Sequence, residues 1–182
     1  MLRAAAHGDE AAFARLWRDA HPHVLRYLWV VAGDAAEDVA AEVWLEVARG
    51  LASFEGEERE FRGWLFTLAR RRAADHRRYA RRHPARPTGE HAELDRPADD
   101  DTAGTALETM STEAALKLIA TLPPAQAEII VLRVVAGLDV TQIAEITGKS
   151  PGAVRIAAHR GLRTLAKRLS APAEQQEASR GE

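Results

Sequence analysis

Apolar residues recur at helical spacing along most of the chain, and prolines and glycines punctuate the pattern. Asp9 can cap a helix that carries Phe13, Leu16 and Trp17 on one face. Pro22 marks a fresh start, after which Val24, Leu25, Leu28, Trp29 and Val31 continue the apolar stripe to Gly33. Asp34 is placed to cap a helix from Ala35 to Arg49, with Val39, Val43, Trp44 and Val47 inward and Glu37, Asp38, Glu42 and Glu46 largely outward. A polar loop from Ser53 to Glu60 leads into a long helix from about Phe61 to Arg82. That helix buries Trp64, Leu65 and Leu68 early and then runs out of residues to bury.

From His83 to Thr109 no apolar periodicity lasts a full helix. Pro84, Pro87, Pro97 and Gly104 interrupt it and Asp99, Asp100 and Asp101 form a like-charge block, the composition of a flexible acidic linker. Order resumes with a helix near Ser111 to Thr121 presenting Ala115, Leu118 and Ile119. Leu122, Pro123 and Pro124 break it, and a further helix from Ala125 to Val135 carries Ile129, Ile130, Leu132 and Val135. The polar stretch from Ser170 to Glu182 reads as a disordered tail.

The most specific local pattern lies between Leu138 and Leu169. Val140, Ile143, Ala144 and Ile146 form one apolar face, and Gly148 follows where a helix stops on a left-handed residue. Ser150 can cap a second helix with Pro151 at its first position. Small Ala144, the corner at Gly148 and the plug Val154 make the skeleton of a helix-turn-helix, whose second helix would enter a DNA major groove. The same spacing also fits a plain pair of packed helices. Arg155, His159, Arg160 and Arg163, with few acids nearby to pair with, favour DNA.

Composition narrows the reading. The chain has 182 residues, 25 Lys and Arg against 27 Asp and Glu, a net charge of −2 and no cysteine. Ala, Leu and Arg dominate, which points to an all-α protein of two small helical domains: an N-terminal bundle and a C-terminal four-helix unit joined by the linker. The lack of cysteine excludes a disulfide framework and Cys-ligated zinc within it. The start shows no signal-peptide core and no stretch approaches a membrane span, so a cytoplasmic location without membrane insertion is expected. The slight negative charge is unevenly spread: arginines crowd residues 62–86 and acids crowd 90–101. An arginine-rich run is often just a solvated face; its single sign, its preference for Arg and the presence of Tyr79 favour nucleic acid. The sequence holds no phosphate loop, metal-binding histidine pair or nucleophile motif, so no catalytic residue, metal or cofactor is expected.

Two stretches, in order, carry a resemblance. Ala36-Glu37-Asp38-Val39 through Val47, then Phe61-Arg62-Gly63-Trp64-Leu65-Phe66-Thr67-Leu68-Ala69-Arg70 and Asp75, form the first. Leu122-Pro123 followed by the helix-turn-helix and His159-Arg160-Gly161-Leu162 form the second. The chain resembles the extracytoplasmic-function (ECF) group of bacterial sigma factors, of the sigma-70 family. The resemblance implies a region 2-like domain over residues 1–83, a linker over 84–109, a region 4-like domain over 110–170 and a tail over 171–182. It implies binding to core RNA polymerase through Glu37, Asp38, Glu42 and Glu46, although the family often has Gln where Ala41 stands. It implies recognition of the −10 element by Phe54, Trp64, Arg70, Arg71, Arg72, Arg77 and Arg78, with a flipped base received by the loop from Phe54 to Glu60. Recognition of the −35 element would fall to Lys149, Ser150, Arg155, Ile156, His159 and Arg160. Further partners implied are promoter DNA and an anti-sigma factor, with the free protein a monomer. The competing readings are a stand-alone helix-turn-helix regulator and a helical adaptor without a nucleic-acid role.

Overall fold

The computed structural model describes residues 1–83 and 104–170, and in the second stretch side chains from Thr112 onward. Among the described residues all regular structure is helical: α1 (Leu2–Ala6), α2 (Glu10–Ala32), α3 (Ala36–Gly50), α4 (Glu58–Arg82), α5 (Gly104–Ala120), α6 (Pro124–Val134), α7 (Val140–Thr147) and α8 (Pro151–Ser170). The all-α expectation is met. The tail and the linker as far as residue 103 lie outside the described residues, and α5 takes in the last six positions assigned to the linker.

Three local expectations change. Asp9 does cap α2, its Oδ1 accepting the Ala12 N–H at 2.9 Å, but Pro22 does not restart the helix. α2 runs through it for 23 residues. A proline inside a helix removes one hydrogen bond and costs roughly 3 kcal/mol. Here Leu16 before it and Val24, Tyr27 and Leu28 after it are buried in the same bundle, so packing holds both halves in line. Asp34 caps nothing: a single 3-10 turn over Gly33–Ala35 intervenes, and α3 begins at Ala36 without a side-chain cap. In α5 the inward residues are Leu116 and Ile119, whereas Ala115 is exposed.

Helix α2 is the axis of the molecule. It packs on α1, α3 and α4 and also on α5 and α6, while α8 closes against α6 and α7. The core follows the same plan. Val24, Tyr27, Leu28, Val39, Val43, Val47, Leu65 and Phe66 from the N-terminal half form one continuous apolar cluster with Ile129, Leu132, Leu138, Ile143 and Val154 from the C-terminal half. The Tyr27 ring meets the Phe66 ring edge-on with centroids 5.4 Å apart. Full burial of side chains of this size stabilises by roughly 1.5–3 kcal/mol each. The two helical groups thus share a core as well as a chain.

Candidate nucleic-acid interface

The helix-turn-helix forms as its sequence dictates. Asp139 caps α7, its Oδ1 accepting from the N–H groups of Thr141 at 2.8 Å and Gln142 at 3.0 Å, and the Gln142 side chain accepts back from the Asp139 N–H at 3.2 Å. This reciprocal box satisfies backbone donors that helix geometry leaves free. Gly148 stops α7 at φ 66°, and the amides of Gly148 and Lys149 return to the carbonyls of Glu145 and Ala144. Ser150 Oγ then caps α8 by accepting the Ala153 N–H at 3.2 Å. Val154 is buried between the helices, as its place in the motif requires.

On the outer side of α8 the side chains of Arg155, Ile156, His159, Arg160 and Arg163 are exposed, together with Lys149 and Ser150 at its start. Among the described residues the three arginines of this group and Lys149 enter no ion pair. Gly161 is buried, and a Cβ there would stand 2.4 Å from Ile130 Cδ1 on α6. It fixes how closely α8 lies on α6, and thereby how far the arginine face stands out.

The N-terminal arginine run is different. Arg70 Nε pairs with Glu128 on α6 at 2.9 Å, Arg71 pairs with Glu46, and Arg72 reaches Glu46 at 2.9 Å and Glu42 at 3.8 Å. Arg78 pairs with Asp75 one turn away. The expected single-sign surface is therefore partly neutralised by acids from α3 and α6, which periodicity along α4 could not reveal. Glu37, Asp38 and Glu42 are exposed on α3 and Glu46 is half-buried against the arginines. Between Asp38 and Glu42 the same face carries Ala41, and one turn later Leu45, 57% exposed. Toward the end of α4, Arg77, Arg78, Arg81 and Arg82 are exposed beside Tyr79, whose ring stacks on His83 with centroids 4.5 Å apart.

The loop before α4 is shorter than expected, because Glu57 and Glu60 form a capping box that starts the helix at Glu58. Phe54 folds back onto Trp64, the rings stacked 5.1 Å apart, and Phe61 closes the group edge-on to Phe54. Phe54 and Trp64, named separately from sequence, are thus neighbours in one aromatic cluster. Glu57-x-x-Glu60 and Asp139-x-x-Gln142 carry capping-box spacing, a signal the sequence reading passed over when it placed Glu57 and Glu60 in a loop. The pairing of Tyr27, Arg70 and Glu128 had no such signal.

With this geometry in view, the family model for sigma-70 region 2 matches residues 12–83 and that for sigma-70 region 4 matches residues 112–165. The chain belongs to the ECF group of the sigma-70 family. It is similar to the ECF RNA polymerase sigma factor ShbA of Streptomyces griseus, 37% identical over 96% of this chain and 94% of that protein. It is also similar to BldN of Streptomyces coelicolor, 35% identical over 93% of this chain and 64% of that longer protein, and to SigD of Mycobacterium tuberculosis, 34% identical over 87% and 77%. The fold is shared with CnrH, solved with the cytosolic domain of CnrY, at TM-score 0.63 and 19% identity over 94% of this chain and 96% of that one. It is likewise shared with RpoE of Bartonella quintana, solved with the anti-sigma factor NepR, at TM-score 0.64 and 20% identity over 88% and 98%. The protein is a sigma factor, which directs promoter-specific transcription initiation.

Among the described residues no cluster of His, Asp or Glu could hold a metal ion, and no helix is long and apolar enough to cross a membrane.

Proposed function

We propose that this sigma factor divides its work between two faces. The α3 face of Glu37, Asp38, Glu42 and Leu45 docks on core RNA polymerase, acids meeting a basic partner around an apolar centre. Phe54 and Trp64 receive the flipped −10 base while Arg70, Arg71, Arg72, Arg77 and Arg78 follow the strand's phosphates. Glu46 is better suited to holding Arg71 and Arg72 in place than to contacting polymerase, since it already faces both. In α8, Arg155 reads guanine, Ile156 offers apolar contact, His159 and Arg160 take the neighbouring positions, and Lys149 and Ser150 hold phosphate at the helix start. The observation that carries this reading is the exposed, unpaired cation face of α8 behind a fully formed turn, in the same chain as the arginine-rich α4.

The protein acts in the cytoplasm, without catalysis or cofactor, as a monomer when free. An anti-sigma factor is its expected antagonist, as NepR is named for the Bartonella quintana protein. Run-off transcription with core polymerase, with and without this chain, tests the proposal. A template-specific transcript that appears only when the chain is added supports it. Tight binding to a palindromic site without polymerase, and no such transcript, would favour a stand-alone regulator instead.

A further inference from the structure

Trp44 seats α3 on α2. It is 7% exposed, and its indole N–H donates to His21 Nδ1 at 3.0 Å. Phe13 and Trp17 from α2 meet the same indole edge-on, with centroids 6.2 and 6.4 Å away. Trp17 also lies flat on the imidazole, at 4.4 Å and 18°. His21 is therefore held on its face by one tryptophan and at Nδ1 by another.

The same stripe of α3 carries Glu37, two turns before Trp44 on one side of the helix. Glu37 is exposed and belongs to the face assigned to polymerase. Its carboxylate also acts on the His21 imidazole, favouring the charged form, and among the described residues no other charged group bears on that ring. Arg18, one turn earlier on α2, directs its Nε back to the Ala14 carbonyl at 3.3 Å. His23, two positions on, faces a cavity against α4 instead.

An indole nitrogen has a proton to give and none to accept, so the Nδ1 it meets is bare and neutral His21 carries its proton on Nε2. The next proton must enter at Nδ1 itself. There it displaces the Trp44 N–H, since two donors cannot share one hydrogen bond, and the imidazolium gains Glu37 as its anionic partner. A buried indole N–H left without an acceptor is costly, so Trp44 must shift. We propose that His21 is a positioning residue for polymerase docking: neutral, it holds Trp44 and leaves Glu37 to the polymerase; protonated, it frees Trp44 and claims Glu37. Docking and protonation then compete for one carboxylate, and acid weakens the hold on polymerase. This inference rests on the assignment of α3 to polymerase.

The test uses the full chain, alone and with core RNA polymerase. In the free protein the Trp44 indole proton resonance, recognised by its loss in Trp44→Phe, should move as pH falls, and the midpoint marks half-protonation of His21. His21→Gln offers an amide oxygen to the indole N–H and does not titrate. At the midpoint pH the competent fraction of the parent is halved, so from pH 7.5 its Kd for core should rise about twofold more than that of His21→Gln. The comparison cancels titration of the polymerase itself. His21→Leu, with no acceptor, should dock more weakly at both pH values, and His21→Gln should recover most of that loss; circular dichroism checks that the helices remain. An indole resonance that ignores pH, or a His21→Leu chain that docks as well as the parent, would overturn the proposal. So would a resonance that titrates while parent and His21→Gln lose affinity in parallel. Failure of the α3 assignment reads differently, since Leu45→Asp would then leave the affinity for core at pH 7.5 unchanged.

Discussion

At the scale of single residues, the arginine-rich helices contain two populations. Arg155 is exposed and unpaired on α8, so its guanidinium is free to meet a base edge. Arg155→Ala should relax discrimination at one −35 base pair by roughly 1–3 kcal/mol, read by transcription from promoters substituted at single positions. A uniform loss across all positions would mean that Arg155 holds phosphate. His21 makes a different case. Its Nδ1 accepts the Trp44 indole N–H at 3.0 Å, and Trp17 stacks on its ring at 4.4 Å. An indole nitrogen only donates, so Nδ1 must be unprotonated. Burial lowers the imidazole below its ordinary 6.5, and Glu37 only partly opposes that. The unfolded chain therefore binds the proton first as the medium acidifies. Stability contributed by neutral His21 is complete above pH 6.5 and declines as pH falls through 6.5 toward the lowered folded value. Urea midpoints at pH 7.5 and 5.5 should show a larger acid-induced drop in the parent than in His21→Gln. Equal drops would refute the assignment.

At the scale of elements, the helix-turn-helix was almost wholly legible. Its cap, its left-handed corner and its plug are local chemistry, and each of Ser150, Gly148 and Val154 sits where the sequence placed it. Pro22 and Asp34 misled because a bundle can override a local signal when both flanks are buried. Gly161 illustrates the opposite limit. Glycine within a helix is about 1 kcal/mol worse than alanine, so propensity alone favours Gly161→Ala. The contact with Ile130 decides otherwise, since Ile130 is itself buried and has little room to yield. Gly161→Ala should destabilise the chain by about 1–2 kcal/mol despite the propensity gain. Adding Ile130→Val, which removes the obstructing Cδ1, should make the pair less harmful than the sum of the two single changes. Strict additivity in thermal unfolding would show that the close approach is not what the glycine serves. On α3 and α4, Glu46 binds the face assigned to polymerase to the face assigned to the −10 strand. No single helical pattern contains that link.

At the scale of the whole molecule, the continuous core makes the two halves partners in stability. All four tryptophans, at positions 17, 29, 44 and 64, lie in the N-terminal half. Unfolding followed by tryptophan fluorescence and by far-ultraviolet circular dichroism should therefore coincide in the parent at low salt. The two curves should separate in the variant with Glu128→Gln and Asp139→Asn. Separate curves in the parent would mean that the interface contributes little to either half.

What the sequence determined by itself is everything governed by near neighbours along the chain. Helical period, capping chemistry, the glycine corner and the order of two recognisable stretches were enough for the fold class and the family. What only the tertiary structure decided is which charges meet. Arg70 and Glu128 are 58 positions apart, and Arg59 and Asp139 are 80 apart. Their pairing depends on how α4 lies against α6 and α7. An arginine read along its own helix looks free. Whether it is free depends on the helix packed against it, because charge pairing is set by distance in space.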